Sequence, residues 1–122
     1  MVSDQVRRRF LRDPLPIRLG GLAADLARIA SFSENPANHQ AVTSVLEEGK
    51  YFAEWIASDA PLETQAVLAE LQVLLAVWER GWLNRNPVPT MRADAQRKSD
   101  ELLVLAGLAR ELSGETAQEV DG

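Results

Sequence analysis

The chain has 122 residues, 46% of them hydrophobic and 25% charged, and a net charge of −5. This length allows one hydrophobic core but not two, and the composition is that of a globular domain rather than a disordered chain. With no cysteine, disulfides, zinc–thiolate sites, iron–sulfur clusters and thiol catalysis are all excluded, and an acidic body gives no attraction to polyanions such as nucleic acid or anionic lipid.

Residues 1–13 hold Arg7, Arg8, Arg9 and Arg12 against Asp4 and Asp13, a net +2 that leaves −7 for the remainder. The reading for this stretch is a basic, disordered, solvated tail. It has no apolar core of a secretory signal, and no run in the chain approaches the ~20 apolar residues of a membrane span. The expected location is the cytoplasm.

The first predicted helix begins near Pro14–Pro16, where a missing N–H is harmless, and runs to Ser33. Leu15, Leu19, Leu22, Leu26 and Ile29 recur at steps of four and three, a buried seam. Gly20 and Gly21 each cost about 1 kcal/mol relative to Ala and suggest a later start or a close helix approach. Glu34-Asn35-Pro36 is a break, with Asn35 as the cap of a second helix ending near Ser58. Its seam is Val42, Val45, Gly49, Phe52 and Ile56, and Gly49 implies a backbone or bulky ring pressed against it.

Asp59 is the expected cap of a third helix that reaches Leu83. Val67, Leu68, Leu71, Leu74, Leu75, Trp78 and Trp82 give it the widest apolar arc, so it should be the most buried helix. Asn84-Arg85-Asn86-Pro87 is the third break. The fourth helix then runs from between Pro87 and Thr90 to Ser113, with Gly114 as its C-cap and 114–122 as an acidic, frayed tail.

Short connections between long amphipathic helices predict an all-α fold, an up-and-down antiparallel four-helix bundle over residues 14–113. The runner-up is a three-helix core with the first or fourth of these helices exchanged into a dimer.

Chemistry is sparse. His39 is the single histidine, it opens a helix, and it has no Glu-x-x-His partner motif, so di-iron, haem, phosphotransfer and hydrolytic readings all lack their residues. No catalytic residue, metal ligand or cofactor is assigned. Arg28, Glu47, Glu48, Glu54 and Glu70 are the set from which a polar site could be built, against the plainer reading of solvated faces and local ion pairs with Lys50. Trp55, Trp78 and Trp82 are either core or the anchors of an interface.

The stretch Leu15-Pro16-Ile17-Arg18-Leu19-Gly20-Gly21-Leu22-Ala23-Ala24-Asp25-Leu26-Ala27-Arg28-Ile29, with Glu54-Trp55 and Glu70-Leu71-Gln72-Val73, resembles a family of small uncharacterised helical proteins of cyanobacteria. The resemblance covers residues 14–113 and implies a cytosolic bacterial protein without an assigned activity. The functional expectation is a non-enzymatic interaction module that forms a homodimer or binds a protein partner, with no membrane and no strong nucleic-acid role. The alternatives are a small-molecule binder or enzyme using the bundle carboxylates, and nucleic-acid binding through Arg7, Arg8, Arg9 and Arg12.

Overall fold

The structure is a computed structural model that describes the backbone of residues 3–121 and the side chains of residues 3–112. Among the described residues there are five α-helices, one 3-10 turn and no strand: α1 (Asp4–Arg12), α2 (Leu15–Phe32), a 3-10 turn (Pro36–Asn38), α3 (His39–Ala57), α4 (Leu62–Leu83) and α5 (Met91–Asp121). None of these helices is long and apolar enough to cross a membrane.

Helix α2 is the axis of the fold and packs on both α3 and α5. Its pairing with α5 is antiparallel: Ser99 Oγ donates to Ala23 O at 2.8 Å near the middle, and Arg92 Nε donates to Ala30 O at 3.2 Å one end along. Helices α3 and α4 also run antiparallel, tied by Lys50 Nζ to Glu79 at 2.7 Å and by Trp82 Nε1–H to His39 O at 3.0 Å. Leu19, Leu22, Leu26 and Ile29 of α2 join Val42, Leu46 and Ile56 of α3, Leu68, Leu71, Leu75 and Trp78 of α4, and Met91, Ala95 and Leu102 of α5 in one core. Each fully buried aliphatic side chain contributes about 1.5–3 kcal/mol.

Four helices were expected and five are present, because residues 4–12 are not a disordered tail. Ser3 Oγ accepts from Val6 N, Asp4 sits in the first turn and Arg9 and Arg12 in the last, so cap and dipole both favour a helix here. No residue of α1 is fully buried, but Phe10 stacks on Phe52 with centroids 4.1 Å apart and tilts against Trp55 at 5.7 Å. One aromatic residue thus pins a short basic helix to α3.

Other expectations are corrected as well. Asp59 does not cap α4; Pro61 occupies that position without a side-chain hydrogen bond, and Asp59 instead pairs with Arg18. Asn35 does cap, accepting from Ala37 N, but it caps the 3-10 turn that leads into α3. No ring or backbone presses on Gly49; a Cβ there would meet only Leu75 and Leu22 methyls, at 3.6 Å or more. Gly20 and Gly21 have open space rather than a close helix. Gly114 does not end the last helix, whose backbone continues to Asp121. The side chains of the acidic tail lie outside the described residues.

Helix α4 is not the most buried helix. Six of its 22 residues are buried, against seven of 18 in α2. Its wide apolar arc is two seams on opposite sides. Thr64, Leu68, Leu71, Leu75, Trp78 and Trp82 face the core, while Leu62, Ala66, Ala69, Val73, Ala76 and Leu83 face outward.

Candidate functional site

The polar residues singled out from sequence do not converge. Glu47 and Glu54 border a shallow depression of about 380 Å³ with Lys50, Tyr51 and Glu79. Glu70 lies across from α5, 3.0 Å from the buried Lys98 Nζ, which also reaches Glu101 at 3.4 Å. Arg28 and Glu48 do meet, but around a residue the sequence reading passed over. Asp25, only 1% exposed, accepts from Arg28 Nη1 at 2.9 Å and has the Glu48 carboxyl within hydrogen-bonding reach. Burial, and then the neighbouring Glu48, push Asp25 up to about 8 against the opposing pull of Arg28. Among the described residues, no group of three or more His, Asp or Glu side chains is placed to hold a metal ion.

The proposed aromatic anchors are inside the chain. Trp55, Trp78 and Trp82 are all buried, so none is available as an exposed interface anchor. Trp55 belongs to a cluster with Phe10, Tyr51 and Phe52. Trp82 stacks on His39 with centroids 5.2 Å apart and planes 13° from parallel. The two groups sit at opposite ends of α3, as the antiparallel pairing requires. His39 and Trp82 border a small cavity of about 220 Å³ with Ser33, Pro36, Arg85 and Pro87.

The exposed apolar surface lies elsewhere. Leu62 is 81% exposed and Val73 65%, with Val77 and Leu83 also exposed on α4. The positions 62, 66, 69, 73, 76, 80 and 83 alternate steps of four and three, the spacing of a coiled-coil seam. They read Leu, Ala, Ala, Val, Ala, Arg and Leu, all exposed. Leu103, Val104, Leu108 and Leu112 form a second exposed apolar group on α5. The signal for the α4 seam was in the sequence: two heptad series occupy one helix, and a single core can cover only one of them.

Comparison with protein-family models, with curated proteins and with solved structures gave no match.

Proposed function

We propose that this chain is a non-enzymatic interaction module: an up-and-down four-helix bundle, α2 to α5, with α1 as an added N-terminal helix, that self-associates through the outward seam of α4. The carrying observation is that seam, seven consecutive heptad positions left open to water along a helix of 22 residues. A strip of this length, apolar at six of its seven positions, is an association surface rather than ordinary surface scatter.

A second copy of the chain is the occupant the residues favour. Small side chains at Ala66, Ala69 and Ala76 let another helix approach closely, and Val73 lies at the centre of the series. An antiparallel pair crossing near Val73 sets Val77 of one copy against Ala69 of the other, large on small. It also places Arg80, the one charge in the seam, against Ala66, within a turn of Glu63 and Glu70 of the second copy. A parallel pair would put Arg80 beside Arg80. The pattern is self-complementary in the manner of a two-fold interface. A cytoplasmic setting, resting on the cysteine-free composition, and kinship with the cyanobacterial helical proteins belong to the same proposal and add no activity to it.

Sedimentation equilibrium at micromolar concentration tests it. The wild-type chain should be a dimer, and Val73→Glu should be a monomer with an unchanged circular-dichroism spectrum. A wild-type chain that stays monomeric throughout removes the proposal.

A further inference from the structure

The α2–α3 seam contains a charge arrangement that the association surface does not use. Asp25 points from α2 into the core side of the seam, where it is 1% exposed. Its charged neighbours are Arg28 on its own helix and Glu48 on α3. From α5, Lys98 is buried but already tied to Glu70 and Glu101, and Ser99 gives its hydroxyl to Ala23 O. No charged group of α4 acts on Asp25.

With both carboxyls ionised, this arrangement is unsatisfied in two ways. Two negative charges face one guanidinium, which is itself half exposed, so a net negative charge remains in the seam. Asp25 Oδ2 is also buried with no donor to meet it. A single proton removes both defects: it turns the carboxyl–carboxyl contact into an O–H···O hydrogen bond and brings the group of three to neutrality.

We propose that Asp25 and Glu48 share one proton across the α2–α3 seam, and that loss of this proton loosens the seam, making the pair a pH-sensitive latch between the two helices. The proton goes to solvent through Glu48, whose side chain reaches the surface. Its departure leaves a buried charge on Asp25, where water reaches it poorly, facing the like charge of Glu48. The elevated affinity of Asp25 for its proton, up to about 8, sets the pH at which the latch opens.

The full-length chain is the material for the test. Amide hydrogen exchange, corrected for intrinsic rates, is compared at about pH 6 and about pH 9, on either side of the latch. Wild-type residues 15–32 and 39–57 should lose protection by roughly tenfold or more at the higher pH, one unit of proton affinity being a factor of ten, and by more than α4 does. Glu48→Gln replaces the like charge with an amide that can donate to ionised Asp25, and it should diminish the loss, leaving the part that burial causes. Asp25→Asn should abolish it, and if that variant fails to fold, the exposed Glu48 position still decides. Equal protection of the wild type at both pH values overturns the proposal. So does a loss spread evenly over all helices including α4, or one that persists unchanged in Glu48→Gln.

Discussion

Arg18 on α2 and Asp59, in the turn between α3 and α4, join 41 positions apart in sequence through two parallel hydrogen bonds, Nη1 to Oδ1 at 2.9 Å and Nη2 to Oδ2 at 3.2 Å. Arg18 Nε is used as well, donating to Asp13 O at 3.0 Å, so one buried guanidinium ties the start of α2 to the far end of α3. The two partners are unequal. Asp59 is 58% exposed, and its loss frees a carboxylate that water already solvates. Arg18→Ala therefore costs about 1–3 kcal/mol in urea unfolding, through lost charged hydrogen bonds and lost packing of the stem. Asp59→Asn leaves that buried guanidinium facing a neutral amide oxygen in place of its counter-charge, so it too costs about 1–3 kcal/mol.

Two glycines, both inside helices, should respond in opposite directions to alanine. A Cβ on Gly81 would stand 2.8 Å from Asn86 O, the backbone of the turn that folds back onto the end of α4, and Asn86 N is itself bonded to Gly81 O. Gly81→Ala must displace that turn and destabilises by about 1–3 kcal/mol. On Gly49 the added methyl would rest at ordinary contact distance from Leu75 and Leu22. Gly49→Ala stabilises by roughly 0.5–1 kcal/mol through helix propensity. Thermal unfolding of the two variants beside the wild type checks both signs.

The long helices were legible in sequence because each repeats its apolar residues at helical spacing and the breaks between them hold Pro or Asn. The expected first helix, Pro14–Pro16 to Ser33, is α2 at Leu15–Phe32. The first helix, α1, escaped that reading because Val6 and Phe10 are too few apolar positions to register against four arginines, and what holds it, Phe52, lies on another helix. Helix α4 misled in a different way. Hydrophobicity summed around its circumference reads as burial, yet Leu62, Val73 and Leu83 face away from the core that covers Leu68, Leu71 and Leu75. Asp25 looked like an ordinary polar position within Ala23-Ala24-Asp25-Leu26. Its importance depends on Glu48, and no local pattern reveals which carboxylate of α3 faces α2.

Phe10 is the main attachment of α1, so Phe10→Ala should release that helix and leave the rest of the fold intact. The stack on Phe52 and the tilted contact with Trp55 contribute about 0.5–1.5 kcal/mol each beyond burial. Losing them exposes Trp55, whose emission shifts to the red, and opens the α1 backbone to limited proteolysis after Arg7, Arg8, Arg9 and Arg12. Far-ultraviolet circular dichroism falls only by the share of nine helical residues. An unshifted emission spectrum together with unchanged proteolysis would show that α1 is held by something other than this ring.

Two aspartates tilt the dependence of stability on pH in opposite senses and in separate windows. The hydrogen bonds from Arg18 hold Asp59 below the usual carboxylate range, so its stabilising effect is present above an unfolded-state value of 3.8 and is lost as pH falls through the lower folded value. Because Asp59 is exposed, this acid limb is shallow. Asp25 is raised from 3.8 to about 8, first by burial and then by Glu48. Between those values the folded chain holds a proton that the unfolded chain has released, so stability falls as pH rises across the interval and levels off above about 8. Urea unfolding from pH 3 to pH 10 should therefore give greater stability near pH 5 than near pH 9. Asp25→Asn should flatten the fall between 3.8 and about 8 without touching the acid limb, and Asp59→Asn should do the reverse. The same fall in Asp25→Asn as in the wild type would mean that another group carries the proton.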